Sequence, residues 1–258
     1  MSEAPLLQAQ DLRKSFGGLR ALDGVGFDLW PGEVLAVVGE SGSGKSTLLR
    51  CLAGHLAPDF GIVRYATRHE GVVDVIALPE PRRRWLARTE WGFVHQNPRD
   101  GLRLGVTAGG NIGEPLMAVG ERHYGAIRAA ATDWLRRVEI DPARIDDGPR
   151  AFSGGMQQRL QIACNLVSAP RLVFMDEPTG GLDVSVQARL LDLIRGLVAD
   201  LGLSVVLVTH DLGVARLLAH RMLVMRGGRV VETGLTDQVL EDPQHAYTQL
   251  LVASILPS

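Results

Sequence analysis

The residues best equipped for chemistry are Gly39-Glu40-Ser41-Gly42-Ser43-Gly44-Lys45-Ser46, with Thr47 next. Glycines at this spacing let the backbone turn tightly enough for successive N–H groups to face one phosphate group. Lys45 can reach β- and γ-phosphates as a point charge, and the Ser46 hydroxyl can bind Mg²⁺. A second set lies at Met175-Asp176-Glu177-Pro178. Asp176 can hold Mg²⁺ through water, and Glu177 can polarise an attacking water as general base; two acids at a strand end can also serve as a helix cap. His210, in Thr209-His210-Asp211, can sense or hold a γ-phosphate, and Gln96 could reach both Mg²⁺ and the water. Phe152-Ser153-Gly154-Gly155-Met156 opens a helix and makes a further phosphate-receiving end. One nucleotide has no obvious need of two such ends. Two chains facing each other, each lending Ser153–Gly155 to the other's nucleotide, would account for both. Phe16, ahead of a turn, could stack on a purine face or could equally be core; periodicity alone favours core.

These groups need elements to hold them. The apolar run Val34–Val38 reads as a strand and Thr47–Ala53 as a helix, so strand, glycine loop and helix follow in the order a phosphate site requires. Gly54 is a plausible cap for that helix. Leu6–Leu29, with turn signals at Phe16-Gly17-Gly18 and Asp23-Gly24, suits antiparallel strands. Ala57–Gly61 reads as a turn and Ile62–Tyr65 as a return strand. Arg82, Arg83, Arg84 and Arg88 read as a solvated helix face, with docking as an alternative. From Phe93 to Ala151 the character becomes helical: Ile127–Val138 puts Trp134 and Leu135 on one face, and Asp141-Pro142 and Gly148-Pro149 break the pattern. Leu172–Met175 and Val205–Val208 are continuous apolar runs, as expected of parallel strands covered on both faces. Between them Val186, Leu190, Leu193, Ile194 and Leu197 form one helical stripe, closed by Gly202. Strand–helix–strand downstream of a phosphate loop predicts a doubly wound α/β core. Gly227-Gly228 predicts a two-residue hairpin, and His245–Ile255 a short terminal helix.

At 258 residues the chain can bury a sizeable core, and its formal net charge of −2 favours neither a nucleic-acid nor a membrane surface. Met1–Gln10 lacks the basic start and apolar core of a signal peptide, and no run approaches the roughly 18 apolar residues needed to span a bilayer. The expectation is a cytoplasmic protein with no direct membrane insertion. Cys51 and Cys164 make no metal spacing or disulfide framework and read as small buried hydrophobes.

The glycine loop, Gln96, Ser153-Gly154-Gly155, Asp176-Glu177, Gly181-Leu182-Asp183 and His210, in this order and spacing, resemble the nucleotide-binding domain of the ABC ATPases over almost the whole chain. The resemblance implies a P-loop NTPase, RecA-like α/β core with an antiparallel β subdomain and an inserted α-helical subdomain at approximately 97–165, all within one ABC domain over 1–258. It implies an ATPase, and a head-to-tail dimer sandwiching two ATP·Mg²⁺. Lys45 and Ser46 would bind phosphate and Mg²⁺, with Gln96 and Asp176 also at the metal. Ser153 to Gly155 would complete the partner's site, and Asp183 would lie across the dimer seam. Glu177 would be the base, and Phe16 the adenine-stacking aromatic. Met156 stands where the family usually has Gln; oligopeptide-importer ATPases resemble this chain there, so the change is not read as inactivating.

A finer likeness runs through Thr89–Gly92, His95–Pro98, Asp100–Arg103, Ala108–Glu114, Arg122–Gly125, Met156–Gln161 and Thr179–Gln187. These segments resemble the ATP-binding subunits of the carbon–phosphorus lyase system. That implies docking on soluble lyase core subunits in phosphonate catabolism, as a homodimer or a heterodimer with a related ABC subunit, with no lyase active site in this chain. The alternative is the motor of a peptide-type importer. DNA-repair or translation ABC ATPases would bring a second nucleotide domain, cysteine zinc modules or coiled-coil inserts, none of which is visible here.

Overall fold

The computed structural model describes residues 4–255. The expectation for Met1–Gln10 thus falls partly on residues outside those described. The chain divides into two compact units, Met1–Arg83 with Gly202–Ser258, and Arg84–Leu201.

The first unit opens with β1 (Leu7–Phe16) and β2 (Leu19–Leu29), joined by Gly17 and Gly18 at φ 53° and 91°. β3 (Val34–Val38) is buried at every position; burying one Val or Leu side chain is worth about 1.5–3 kcal/mol. The glycine loop follows, then α1 (Lys45–Leu52), which Gly54 ends at φ 69°. β4 (Phe60–Thr67) and β5 (Gly71–Asp74) complete an antiparallel sheet in the order β2-β1-β4-β5. Asp23-Gly24 is not a turn. It lies inside β2, where Leu12 pairs with Val25 but Arg13 with Asp23, and Gly24 at φ 79° forms the bulge between them. The same backbone freedom that serves a hairpin here serves a bulge. Next comes α2 (Glu80–Thr89), which buries Leu86; of its arginines Arg84 and Arg88 are exposed, while Arg82, paired with Glu70, and Arg83 are half-buried.

In the second unit β6 (Trp91–Val94) is followed by α3 (Ala108–Ala118), α4 (Tyr124–Arg137) and α5 (Gly154–Leu166). Trp134 and Leu135 are buried on α4, as the periodicity predicts. Asp141-Pro142 and Gly148-Pro149 each start a short 3-10 turn rather than continuing a helix. β7 (Leu172–Asp176) is buried throughout and runs parallel to β6, Trp91 opposite Leu172 and Val94 opposite Met175. α6 (Val184–Leu201) buries Leu190, Leu191, Ile194 and Leu197. The expected stripe is therefore rotated: Leu191 joins it, while Val186 and Leu193 are half-buried.

The chain returns to the first unit with β8 (Ser204–Thr209), α7 (Leu212–Leu218), β9 (Arg221–Arg226), β10 (Arg229–Leu235), α8 (Thr236–Glu241) and α9 (Ala246–Ile255). β3 pairs in parallel with both β8 and β9, and β10 pairs antiparallel to β9. Gly227 and Gly228, at φ 54° and 79°, make the two-residue hairpin. Ala36 and Val38 pack with Leu212, Met222, Val224, Val239 and Tyr247 in one core. Among the described residues no helix is long and apolar enough to cross a membrane.

Candidate functional site

In the first unit the loop Gly39–Thr47 leaves β3 at its carboxyl end. Its shape is forced at two glycines. A Cβ on Gly39 would lie 2.2 Å from the Met225 carbonyl oxygen, and one on Gly44 the same distance from that of Ala21. At Gly42 a Cβ would meet no atom within 4 Å, but φ is 81°, so there glycine answers conformation rather than crowding. The Gly228 N–H donates to the Ser43 carbonyl at 3.0 Å, tying the β9–β10 hairpin to the loop. Lys45 is buried; its Nζ donates to the carbonyls of Gly39 and Glu40, both at 2.8 Å. The ammonium is thus held inside the loop with its charge directed at the backbone arc. Ser46 and Thr47 are half-buried at the start of α1.

His210 is exposed and leaves β8 beside this loop: Val38 pairs with Thr209, so Gly39 and His210 emerge at the same level of a parallel pair. Asp211 turns away to cap α7, accepting from the Gly213 and Val214 N–H groups at 2.8 and 3.2 Å. Phe16 is 48% exposed, not core, at the tip of the β1–β2 hairpin. The Lys14 ammonium lies 5.5 Å from its ring centroid, and β2, which pairs Leu19 with Phe16, runs on to Ala21 beside Gly44.

The second unit brings Gln96 and the acidic pair together. Val94 lies opposite Met175 where the parallel pair ends, so Gln96 and Glu177 leave the carboxyl ends of neighbouring strands. Gly180 closes the gap: a Cβ there would lie 3.2 Å from both Gln96 Nε2 and the Glu177 carbonyl oxygen. Asp176 is buried, and Glu177 adopts φ 47°. A left-handed non-glycine residue costs about 1–3 kcal/mol and is kept where surrounding structure fixes it, often at functional sites.

Ser153, exposed, caps α5, its Oγ accepting from the Met156 N–H at 3.4 Å. A Cβ on Gly155 would fall 2.5 Å from Val186 Cγ1. Asp183 Oδ1 in turn accepts from the Val186 N–H at 2.9 Å and the Ser185 hydroxyl at 2.8 Å. The Val186 bond is the main reason that the Asp183 carboxyl sits below the usual carboxylate range. Val186 therefore links the Ser153–Gly155 turn to the Asp183 segment. Met156 packs its sulfur 3.7 Å from the Arg144 guanidinium, which also lies 4.4 Å over the Phe152 ring, so the departure from the family pattern is accommodated locally.

Among the described residues no cluster of three or more His, Cys, Asp or Glu could hold a metal alone. Oxygen-bearing side chains occur in each unit, Ser46 in the first and Gln96 and Asp176 in the second, and oxygen is the donor type a hard cation takes.

The two motifs and the fold define a class, and direct comparison agrees. The family model described as ABC transporter matches residues 22–180, and the chain belongs to that family. It is an ATPase of the ABC class, with a mixed α/β cassette fold. The chain is 64% identical over 252 residues, 98% of each chain, to the "Putative phosphonates utilization ATP-binding protein PhnK" of Escherichia coli K12. It is 38% identical to the dipeptide transport ATP-binding protein DppF of the same organism, covering 98% of this chain and 77% of that one. Its structure is similar, at a TM-score of 0.79 and 28% identity, to the dimeric ATP-binding cassette MJ0796 bound to ADP and Pi, covering 89% of this chain and 98% of that one.

Proposed function

We propose that this chain is the ATP-binding and ATP-hydrolysing subunit of a soluble carbon–phosphorus lyase assembly in phosphonate catabolism, working in the cytoplasm. The observation that carries this is the 64% identity, end to end, with a protein described for phosphonates utilization, against 38% with a peptide transport subunit. The finer sequence likeness falls largely in the helical segments after β6, at approximately 97–165 of a single ABC domain, where a docking partner would be met.

Two chains pair head to tail around two ATP molecules, as a homodimer or with a related ABC subunit. Gly39, Glu40, Ser41, Gly42, Ser43, Gly44, Lys45, Ser46 and Thr47 cradle the phosphates, and Phe16 stacks on adenine. Ser153, Gly154 and Gly155 receive the partner's γ-phosphate at a helix amino end, with Asp183 at the seam. Ser46, Gln96 and Asp176 would hold Mg²⁺, which offsets phosphate charge. Glu177 takes a proton from water as the water oxygen bonds to the γ-phosphorus and the bridge to the β-phosphate breaks, leaving ADP and phosphate. His210 contacts the γ-phosphate. The approach of the Gln96 amide and the Glu177 backbone to the same side of Gly180 supports a shared task on one water. The dimeric, ADP- and Pi-bound state of MJ0796 supports the pairing.

Affinity purification from cells using a phosphonate as phosphorus source tests the assignment. Soluble lyase subunits should co-purify. Recovery of membrane permeases without lyase subunits would replace it with the importer reading.

A further inference from the structure

We propose that Tyr247, on the carboxyl-terminal helix α9, is a positioning residue for nucleotide. Its hydroxyl fixes the entry to the glycine loop before phosphate arrives. The inference rests on reading Gly39–Thr47 as the phosphate loop.

The Glu40 N–H donates to the Tyr247 hydroxyl at 3.0 Å. The Glu40 carbonyl accepts from Lys45 Nζ at 2.8 Å. Lys45 thus holds the carbonyls of both peptide groups flanking Glu40, and the N–H of the first is held by a residue 207 positions away. Gly39, just before it, admits no side chain, because the Met225 carbonyl fills the space one would need. The loop's first turn is fixed by contacts outside the loop as much as by its own glycines.

Tyr247 is itself firmly placed. It is 8% exposed, in the core that contains Ala36 and Val38 of β3, the strand that delivers the loop. The Arg226 guanidinium lies 4.8 Å over its ring. The start of α9 is fastened by Glu232, whose carboxylate accepts from the Gln244 and His245 N–H groups at 2.8 and 3.0 Å. His245 Nδ1 accepts from the Tyr247 N–H at 3.1 Å. A strand, a hairpin and a terminal helix thus converge on one hydroxyl.

A phosphate loop binds well when its N–H groups already point at the ligand, because ordering them on binding subtracts from affinity. Without the hydroxyl, the N–H of the peptide before Glu40 loses its acceptor, and only the Lys45 bond to the Gly39 carbonyl is left to set that peptide's orientation. The loss falls on binding, where the loop is used, and on ADP as much as ATP, because both carry the phosphates nearest the loop. The hydrolytic groups are elsewhere, so turnover at saturation is spared.

The test compares Tyr247→Phe with Leu251→Ala. Leu251 packs partly buried on the same core, so its truncation loosens α9 without removing the hydroxyl. Fluorescent ATP and ADP titrations, steady-state kinetics and thermal melting are read for both and for the parent. Tyr247→Phe should weaken ATP and ADP alike by about three- to tenfold, the loss of one hydrogen bond. KM should rise with kcat nearly unchanged. Leu251→Ala should melt lower yet bind both nucleotides with parent affinity. Parent affinity in Tyr247→Phe overturns the inference; so does equal weakening by Leu251→Ala, or failure of Tyr247→Phe to fold, since the ring would then not suffice for packing. If the parent binds no ATP, the phosphate-loop reading itself has failed.

Discussion

The side-chain amide of Gln161 spans the His95 peptide: its Oε1 accepts the His95 N–H, and its Nε2 donates to the His95 carbonyl at 3.3 Å. Gln158 Nε2 adds a second donor to that carbonyl at 3.2 Å, and Asn165 Oδ1 accepts the Phe93 N–H at 2.7 Å. One face of α5, the helix capped by Ser153, therefore grips the strand end that carries Gln96. Gln161→Ala should lower stability by about 1–3 kcal/mol, because the His95 N–H loses the acceptor that the fully buried Gln161 supplies. It should lower kcat more than ATP affinity, since the affected strand end carries Gln96 and not the glycine loop. Denaturant melts with parallel kinetics check this; an unchanged kcat in a folded variant would break the link.

Glu177→Gln should keep ATP binding and lose hydrolysis by roughly 10²–10⁴-fold, the usual contribution of a general base. A nucleotide-binding titration beside a phosphate-release assay separates the two. Parental turnover would remove Glu177 from that role.

Lys45→Ala should abolish detectable ATP binding. Its Nζ is the buried cation of the loop, and Gly39 and Glu40 would also lose the donor that shapes them. Calorimetric titration reads the result directly, and undiminished affinity would remove the phosphate-loop claim.

Burial pushes the Cys51 thiol up to about 11 and raises that of Cys164 as well. Both should resist thiol reagents at pH 8 until the protein unfolds, because the thiolate is the reactive form. The sign for stability follows. Below the unfolded thiol value, roughly 8.5, the contribution of Cys51 is fully present, and it is lost as pH rises through about 11. Rapid labelling of native protein at pH 8 would contradict this.

Much of the nucleotide half was legible because its motif carries its own elements: an apolar strand, glycines and a helix start lie adjacent in sequence around Lys45. The Gly227-Gly228 hairpin was legible for the same local reason. What escaped depends on partners distant in sequence. Asp23-Gly24 offers the same backbone freedom to a turn and to a bulge, and only the pairing of Leu12 and Arg13 decides between them. The glycines of α3 conceal a helix that Asn111 holds through bonds to the carbonyls of Arg103, Val106 and Thr107. Gln158 and Gln161 are buried against backbone rather than side chains, so hydrophobic periodicity passes over them. The left-handed Glu177 and the hydroxyl of Tyr247 at Glu40 leave no pattern in the one-dimensional string.

The central claim, that two chains close around ATP, is tested most directly by light scattering of Glu177→Gln with and without ATP. ATP should double the mass from 27.9 kDa, and adding Lys45→Ala should abolish the change. A variant that binds ATP stoichiometrically yet keeps the mass of one chain at every protein concentration, alone and with the related ABC subunit added, would contradict it.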